Sequence, residues 1–388
     1  MLEISNKLNK LAQKSDYRVM IIGLGSVGLY LLEYLLEMQD ERLTVIVAGR
    51  NNEKMTSDVN IVRIGAMIRG HLKSKIIIDS SCELNDESSV ERSIAAAQPD
   101  IIVNSSRADP GLKYGSISWN NFRAYGIWSP LSIRYIRGIM TAAEKAAPNA
   151  IVINTSYSDA IIPWMKSAGK PYPDFGSGNL NHLVPRIKLA AARACGISDE
   201  WNIEVTMATG HFHDVVISKE GQNEGIEQLI SVKYNGSEIK INQAEILREC
   251  SIPMPVDAKR NIMNASSNFE IIDKLLSAVS EKKSVKFHSP GVFGNIGGYP
   301  VAVNYSVNGF EVKIDESCFA MSEMLLKNKQ SLYLDGIEKV ENGTLYYTDE
   351  LIAKVKNAFG TVIPKAVHYD DIDNTADLII KNIIEKKV

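Results

Sequence analysis

The stretch of sequence that decides the fold is residues 17–28, which read YRVMIIGLGSVG. A run of apolar residues leads directly into Gly23-x-Gly25-x-x-Gly28, and an apolar segment of helical length follows. In such a loop Gly23 permits a tight turn, Gly25 removes a side chain that would obstruct a pyrophosphate, and Gly28 lets the helix pack closely on the strand. The stretch therefore predicts the start of a dinucleotide-binding domain, with the pyrophosphate at the helix N-terminus.

The end of the second predicted strand, 43–48, bears on the choice of dinucleotide. Proteins that bind NAD place Asp or Glu there to contact the ribose, whereas this chain continues with Gly49, Arg50 and Asn51. Arg50 can neutralise a 2′-phosphate, so the sequence predicts NADP as the cofactor, with NAD and a merely solvated Arg50 as the alternatives. The residues predicted to bind the cofactor are Gly23, Gly25, Ser26, Val27, Gly28, Arg50, Asn51, Ser105 and Asn154.

Strand-like and helix-like segments alternate through the first half of the chain. The strand candidates are nearly continuous runs of Ile and Val, which is typical of a doubly wound parallel sheet covered on both faces. The predicted strands are 18–23, 43–48, 100–104 and 150–154, and the predicted helices are 27–38 and 133–147.

The pattern changes near residue 159, where Pro and Gly cluster between 163 and 178. We place a domain boundary there, between a Rossmann domain at 1–160 and an α+β substrate domain at 161–388. Shorter, more alternating strands in the second part predict antiparallel pairing, at 202–208, 230–234, 299–307 and 309–314. Helices are predicted at 183–195, 268–278, 318–329 and 375–385.

Length and charge restrict the class of protein. A chain of 388 residues is long enough for two domains, and a net charge of −3 offers no basic surface for nucleic acid. The four cysteines show no CxxC spacing, and no apolar run reaches membrane-spanning length. The composition predicts reduced thiols, a cytoplasmic location, no nucleic-acid or membrane partner, and, from base rates alone, a homo-oligomer such as a dimer.

Several further motifs occur in the order in which one enzyme family has them. From about Tyr17 to about Pro300, the chain resembles the lactate/malate dehydrogenase superfamily. The motifs that carry the resemblance are the loop start at 107–111, the strand at 147–153, the glycine turn and helix at 176–196, and the histidine-containing run at 210–214.

The resemblance implies roles for particular side chains. Arg186 would grip a substrate carboxylate through two parallel hydrogen bonds, and His211 or His213 would exchange a proton with the substrate while hydride moves to or from nicotinamide. The sequence does not decide between the two histidines. The substrate-binding candidates are Arg107, Asp109, Ser156 and Arg186.

The chain also departs from the family pattern. Leu183 stands where the family has the aspartate that orients the histidine, and Asp214 is the nearby substitute. The arginine of the mobile loop falls near Lys113 or Tyr114. Asp109 occupies the substrate-selector position, where an anion suits a substrate that carries an amine or simply forms a turn with the following proline.

Taken together, these residues predict an NADP-dependent oxidoreductase acting on a small carboxylate of the 2-hydroxy or 2-keto acid type. Two alternatives stay open: a reductase of the opine or saccharopine type that joins an amine to a keto acid, and a dinucleotide-binding protein without catalysis. On a strand, His211 and His213 would face the same side and could bind a metal with Asp214, but no further ligand is placed to complete the set, so no metal site is predicted.

Overall fold

A computed structural model describes residues 3–70, 72–108 and 111–387, without the side chains of 111–114 and 387. A six-stranded parallel sheet forms the centre of its first half. The strands are β1 (Tyr17–Ile22), β2 (Leu43–Ala48), β3 (Lys75–Asp79), β4 (Ile101–Asn104), β5 (Ile151–Asn154) and β6 (Phe175–Gly176). Strands β1, β2, β4 and β5 are buried along most of their length, as their continuous apolar sequences predict.

The strand order, β3-β2-β1-β4-β5-β6, is that of a Rossmann fold. The direction of winding reverses between β1 and β4, and Ile22 at the end of β1 lies beside Ala48 of β2 and Asn104 of β4. Ligands of open α/β sheets bind in the crevice at such a point, outside the carboxyl ends of the strands. The glycine loop lies at this crevice.

Seven helices accompany the sheet in the described part of the first half: α1 (Ile4–Leu11), α2 (Ser26–Glu37), α3 (Asn52–Arg69), α4 (Glu87–Ala97), α5 (Gly111–Asn121), α6 (Ser129–Ala146) and α7 (Ser158–Ser167). Helix α1 is fixed by a buried ion pair, because Lys7 Nζ lies 2.7 Å from Asp174 Oδ2 in the segment before β6. Pro130 lies in the first turn of α6, where its missing N–H costs no hydrogen bond.

The described part of the second half contains three sheets of three strands, and their pairing is antiparallel, as predicted. The predicted strands correspond to β7 (Ile203–Ala208), β8 (Leu229–Tyr234), β11 (Gly298–Ser306) and β12 (Gly309–Ile314). The strands that were not predicted are β9 (Ser237–Glu238), β10 (Val285–Pro290), β13 (Ile337–Glu341), β14 (Thr344–Tyr347) and β15 (Ala366–His368). The helices are α8 (Leu183–Cys195), α9 (His211–Glu220), α10 (Gln243–Glu249), α11 (Asn261–Glu281), α12 (Met321–Leu334), α13 (Asp349–Phe359) and α14 (Ile372–Ile379). None of the described helices is both long and apolar enough to span a membrane.

Both faces of the parallel sheet are covered partly by the second half of the chain. On one face Tyr347 and Ile379 belong to the same apolar cluster as Ile102 of β4. On the other face Ile272 of α11 and Val301 of β11 pack in a cluster with β1. Strand β6 also follows residue 160. The boundary at residue 160 therefore stays a prediction, and the sheet is completed by chain from both sides of it.

Candidate functional site

A cavity of about 950 Å³ opens at the carboxyl ends of β1 and β4. Its described lining comes from the glycine loop, the segment after β4, helix α5, the first turn of α8, the middle of α9 and the segment that leads into α11. One end of the cavity therefore lies at the predicted dinucleotide loop, and the other lies at the predicted substrate helix.

The glycine loop has the geometry that a phosphate site needs. Gly23 has φ of +95°, and a Cβ on Gly28 would collide with the carbonyl oxygen of Gly23. A Cβ on Gly25, by contrast, would meet no atom within 4 Å, because this residue faces the cavity. Gly25 is also the N-cap of α2, so the free N–H groups of the first turn lie beside this open space. These residues fit a dinucleotide.

Arg50 and Asn51 lie beyond the end of β2 and are not part of the described cavity lining. The Arg50 side chain is exposed, with Nη1 at 3.4 Å from Glu83 Oε2. Asn51 caps α3, since its Oδ1 accepts the amide N–H of Lys54 at 3.0 Å. Asn51 therefore has a structural task, while the Arg50 guanidinium is accessible at the outer end of the crevice.

Ser105 and Asn154 form side-chain hydrogen bonds with the backbone around the cavity. Ser105 Oγ donates to the carbonyl oxygen of Gly23 at 2.7 Å and so holds the glycine loop. Asn154 is fully buried, accepts from Asn104 Nδ2 at 2.9 Å and donates to the carbonyl oxygen of Ser156 at 2.9 Å. Asn154 and Ser156 are outside the described cavity lining, whereas Ser105 is part of it.

Arg186 projects from the first turn of α8 and lines the cavity, although it is only 4% exposed. Its Nη1 donates to the carbonyl oxygen of Cys250 at 2.8 Å, and its Nη2 lies 3.2 Å from Met254 Sδ. The Nε atom has no partner among the described residues. Burial lowers the pKa of the guanidinium, and nearby Asp214 opposes that change. Arg186 thus carries a buried charge with an unused donor.

The expectation that His211 and His213 share the face of a strand is wrong, because both lie in helix α9. Two residues that are two positions apart on a helix point about 200° apart. The buried side chains Phe212, Val216 and Ile217 recur at helical spacing, which is the signal that identifies this segment as a helix. Among the described residues, no group of three His, Cys, Asp or Glu side chains is arranged to hold a metal ion.

His211 forms a pair with a carboxylate that sequence reasoning missed. Its Nδ1 lies 2.7 Å from Oδ2 of Asp335, which follows α12 and is fully buried. Tyr157 donates its hydroxyl to the same oxygen at 2.7 Å, and the amide N–H of Tyr125 donates to Asp335 Oδ1 at 2.7 Å. Burial alone would lower the pKa of His211, but the ion pair and hydrogen bond with Asp335 outweigh burial and raise it.

Two tyrosine rings enclose the imidazole of His211. The ring centroids of Tyr125 and Tyr157 lie 4.8 Å and 4.9 Å from it, both in edge-to-face contact. Tyr125 also lines the cavity. Tyr157 has a φ of +48°, a conformation that costs free energy in a non-glycine residue and is found where surrounding contacts hold it. The His211–Asp335 pair is therefore held on several sides next to the cavity.

His213 has a different environment. It is fully buried, and neither ring nitrogen has a partner among the described residues. Burial lowers its pKa to about 4, so the ring is neutral at physiological pH. Neither His211 nor His213 belongs to the described cavity lining, but His211 contacts Tyr125, which does.

Two buried carboxyl groups lie near His211. Asp214 is one turn further along α9, lines the cavity and is 3% exposed. Burial raises its pKa to about 7, against the opposing charges of His211 and Arg186. Asp159 is 1% exposed, and burial raises its pKa to about 6. The Oδ1 atom of Asp214 and both carboxylate oxygens of Asp159 have no hydrogen-bond partner in the described structure.

The substrate end of the cavity is cationic. Lys219 and Arg260 line it together with Arg186, Arg107 also lines the cavity, and Asp214 is the sole carboxyl group in the described lining. Lys219 Nζ lies 4.5 Å from the centroid of the Trp119 ring on α5. Burial and the neighbouring Arg260 lower the pKa of Lys219. An anionic ligand suits this end of the cavity.

Some predicted residues cannot be placed, and several site residues were not predicted. Asp109 lies outside the described residues, and the side chains of Lys113 and Tyr114 are likewise not described. The site residues that the sequence did not indicate are Tyr125, His182, Lys219, Arg260 and Asp335. Of these, His182 had a visible signal, since it directly precedes the predicted substrate helix.

Comparison with known proteins places the fold. No protein-family model and no curated protein sequence matches the chain. The Cryptosporidium parvum lactate dehydrogenase complexed with lactic acid and NAD is similar, with a TM-score of 0.54 and 16% identity over 83% of this chain and 98% of that one. The Cryptosporidium parvum malate dehydrogenase has a TM-score of 0.52 and 15% identity over 82% of this chain and 98% of that one. The Eimeria maxima lactate dehydrogenase with NADH and oxamate has a TM-score of 0.52 and 15% identity over 82% of this chain and 92% of that one. The chain has the lactate/malate dehydrogenase fold, as its motifs predict.

Proposed function

We propose that this protein is an NADP-dependent oxidoreductase that transfers hydride to or from a small carboxylate substrate, at a carbon that bears oxygen or nitrogen. One observation carries the proposal: a single cavity joins the glycine loop at α2 to Arg186 on α8, with the His211–Asp335 pair beside it. The similar solved structures of lactate dehydrogenases, one complexed with lactic acid and NAD and one with NADH and oxamate, support it.

The cofactor would lie along the crevice from Arg50 to the substrate end. Gly23, Gly25 and the first turn of α2 would hold the pyrophosphate, and Arg50 would neutralise the 2′-phosphate of NADP. When bound, the nicotinamide supplies or accepts the hydride. Arg50 is exposed and its partner Glu83 is 3.4 Å away, a weak contact that a phosphate can replace.

The residues at the other end would bind the substrate and move its proton. Arg186 would bind the carboxylate, and Arg107 and Arg260 add positive charge in the same cavity. Asp335 holds Nδ1 of His211, which leaves Nε2 to exchange a proton with the substrate. The raised pKa of His211 suits the donation of a proton during reduction.

The first test is a fluorescence titration of the protein with NADPH and NADH. We expect binding of NADPH to be at least about 10-fold tighter than that of NADH, because the 2′-phosphate gains an ionic contact. Arg50→Gln is the informative variant and should remove the preference, while Arg92→Gln, an exposed arginine on α4, is the matched control. Equal binding of both dinucleotides would contradict the NADP assignment, and no binding of either would contradict the proposed function.

We also propose that the chain forms a homo-oligomer. Helix α3 exposes Ile61, Ile64, Met67 and Ile68, which are between 53% and 81% accessible and recur at helical spacing on one side. Contiguous apolar patches of this kind on a surface mark interaction sites.

A further inference from the structure

Two opposite charges are buried in the same cavity wall without pairing. Arg186 is 4% exposed and Asp214 is 3% exposed, and both line the substrate end of the cavity. Within the described structure no salt bridge joins the two side chains, although each lies near enough to influence the pKa of the other. Arg186 Nε and Asp214 Oδ1 both lack hydrogen-bond partners.

Such an arrangement is costly for the folded protein. A buried charge that is not paired pays its desolvation free energy without compensation, and oppositely charged side chains that share a low-dielectric site normally close into a pair. Here the Arg186 guanidinium is held away by its hydrogen bond to the Cys250 carbonyl oxygen. Asp214 is fixed by the first turn of α9, one turn after His211. These contacts hold the two side chains at the cavity without a direct hydrogen bond between them.

We propose that the substrate is an α-amino acid, whose carboxylate binds Arg186 and whose ammonium group binds Asp214. This inference rests on the proposed function and specifies its substrate. An α-amino acid carries its ammonium group and its carboxylate on one carbon, so a single molecule presents an anion to Arg186 and a cation to Asp214. Burial raises the pKa of Asp214 to about 7 against the opposing charges of His211 and Arg186, and a bound ammonium group would favour the ionised carboxylate further.

The assignment also fits the proposed chemistry. In the oxidation direction, the carbon that carries nitrogen would lose a hydride to bound NADP⁺, and its ammonium group would pass one proton to His211 Nε2, which leaves a protonated imino acid. Lys219 and Arg260 make the rest of this end cationic, which disfavours amino acids with basic side chains.

Calorimetric titration of the NADP⁺-saturated protein with matched racemic probes tests the inference. Alanine, aspartate and leucine are compared with lactate, malate and 2-hydroxy-4-methylpentanoate, which differ from them only by a hydroxyl in place of the ammonium group. We expect at least one amino acid to bind 10-fold or more tightly than its hydroxy counterpart. Asp214→Asn should abolish that ratio, Arg186→Gln should weaken all binding, and Glu204→Gln, which removes an exposed carboxylate on β7, should leave the ratio unchanged.

The possible results separate this inference from the proposed function. If hydroxy acids bind and reduce NADP⁺ while no amino acid binds more tightly than its counterpart, the amino acid assignment is overturned and the proposed function stands. If Asp214→Asn weakens amino and hydroxy acids by the same factor, the assignment is also overturned. If amino acids bind in an Asp214-dependent way but none is oxidised, the binding site is supported and the hydride transfer is contradicted. If no probe binds, both proposals are contradicted.

Discussion

His211 and His213 are two positions apart in the sequence, and their environments differ. His211 has a carboxylate on Nδ1 and a raised pKa, and it lies between two tyrosine rings beside the cavity. His213 is buried, and neither of its ring nitrogens has a hydrogen-bond partner in the described structure. Burial lowers its pKa to about 4. A histidine that exchanges protons near neutral pH needs the first kind of environment.

We therefore expect His211→Gln to lower kcat by roughly 100-fold or more, which is the usual contribution of a positioned acid or base. His213→Gln should retain kcat within about 3-fold and act mainly on stability, because it changes packing in a buried position. Steady-state rates and thermal unfolding of both variants provide the check. An unchanged kcat in His211→Gln would remove His211 from the mechanism.

The partly buried histidine His288 on β10 gives a prediction about pH and stability. Its Nε2 accepts the amide N–H of Met207 at 3.3 Å, and burial lowers its pKa to about 4. Since the unfolded chain protonates this ring near pH 6.5, the stabilising contribution is complete above that pH and is lost as the pH falls towards 4.

Replacing His288 by Gln removes this titration. The free energy of unfolding from urea titrations should fall between pH 7.5 and 5.0 by a smaller amount in His288→Gln than in the wild-type chain. The exposed His368→Gln serves as the control and should retain the full decrease. An equal decrease in all three proteins would show that His288 does not contribute.

At the scale of elements, two glycines at the junction between β1 and α2 differ in what they contribute: one is needed for folding and the other is expected to serve binding. Gly28 is needed for packing, because a Cβ there would collide with the carbonyl oxygen of Gly23. Gly25 has φ of −87° and open space around its missing Cβ, so alanine is compatible with the fold at that position. Gly28 is therefore required by the packing of the fold, whereas the open space at Gly25 is available to a ligand.

From this difference we expect Gly25→Ala to leave the unfolding temperature within about 2 °C of the wild-type value and to weaken NADPH binding about 10-fold or more, because the methyl group enters the phosphate space. Gly28→Ala should lower the stability by about 1–3 kcal/mol through overpacking. Differential scanning fluorimetry with and without NADPH distinguishes them. A Gly25→Ala variant with full affinity would place the pyrophosphate elsewhere.

The sequence predicts elements well where local pattern and tertiary environment agree. Buried Ile and Val runs and the glycine motif predict β1, β2, β4 and β5 within a residue or two, because such strands are apolar on both faces. Helix α9 was missed because His211, His213 and Asp214 were interpreted as a ligand pattern, although Phe212 and Val216 already follow helical spacing.

The site could be predicted less completely than the fold, because some of its residues are far apart in the sequence. Asp335 lies 124 positions from His211, and nothing in either local segment indicates that they meet. Local motifs identified Arg186 and the glycine loop, which lie in the expected elements. The carboxylate that contacts His211 follows α12, and only the packing of the whole chain reveals this contact.

At the scale of the whole molecule, the exposed side of α3 predicts self-association. Helix α3 buries Met55, Val59 and Val62 against the sheet, while Ile64 and Ile68 on another side are 53% and 81% accessible. Exposure of this apolar surface is unfavourable in water, and a second copy of the chain that covers it would remove that cost.

Sedimentation velocity on the wild-type chain should therefore show a species larger than the 42.9 kDa monomer. The double variant Ile64→Asp and Ile68→Asp should sediment as a monomer, because it places charges in the interface while the buried side of α3 is unchanged. The control, Leu326→Asp on the exposed surface of α12, should retain the wild-type assembly. A wild-type chain that is monomeric at micromolar concentration would contradict self-association through α3, and an assembly that survives the double variant would place the interface on another surface.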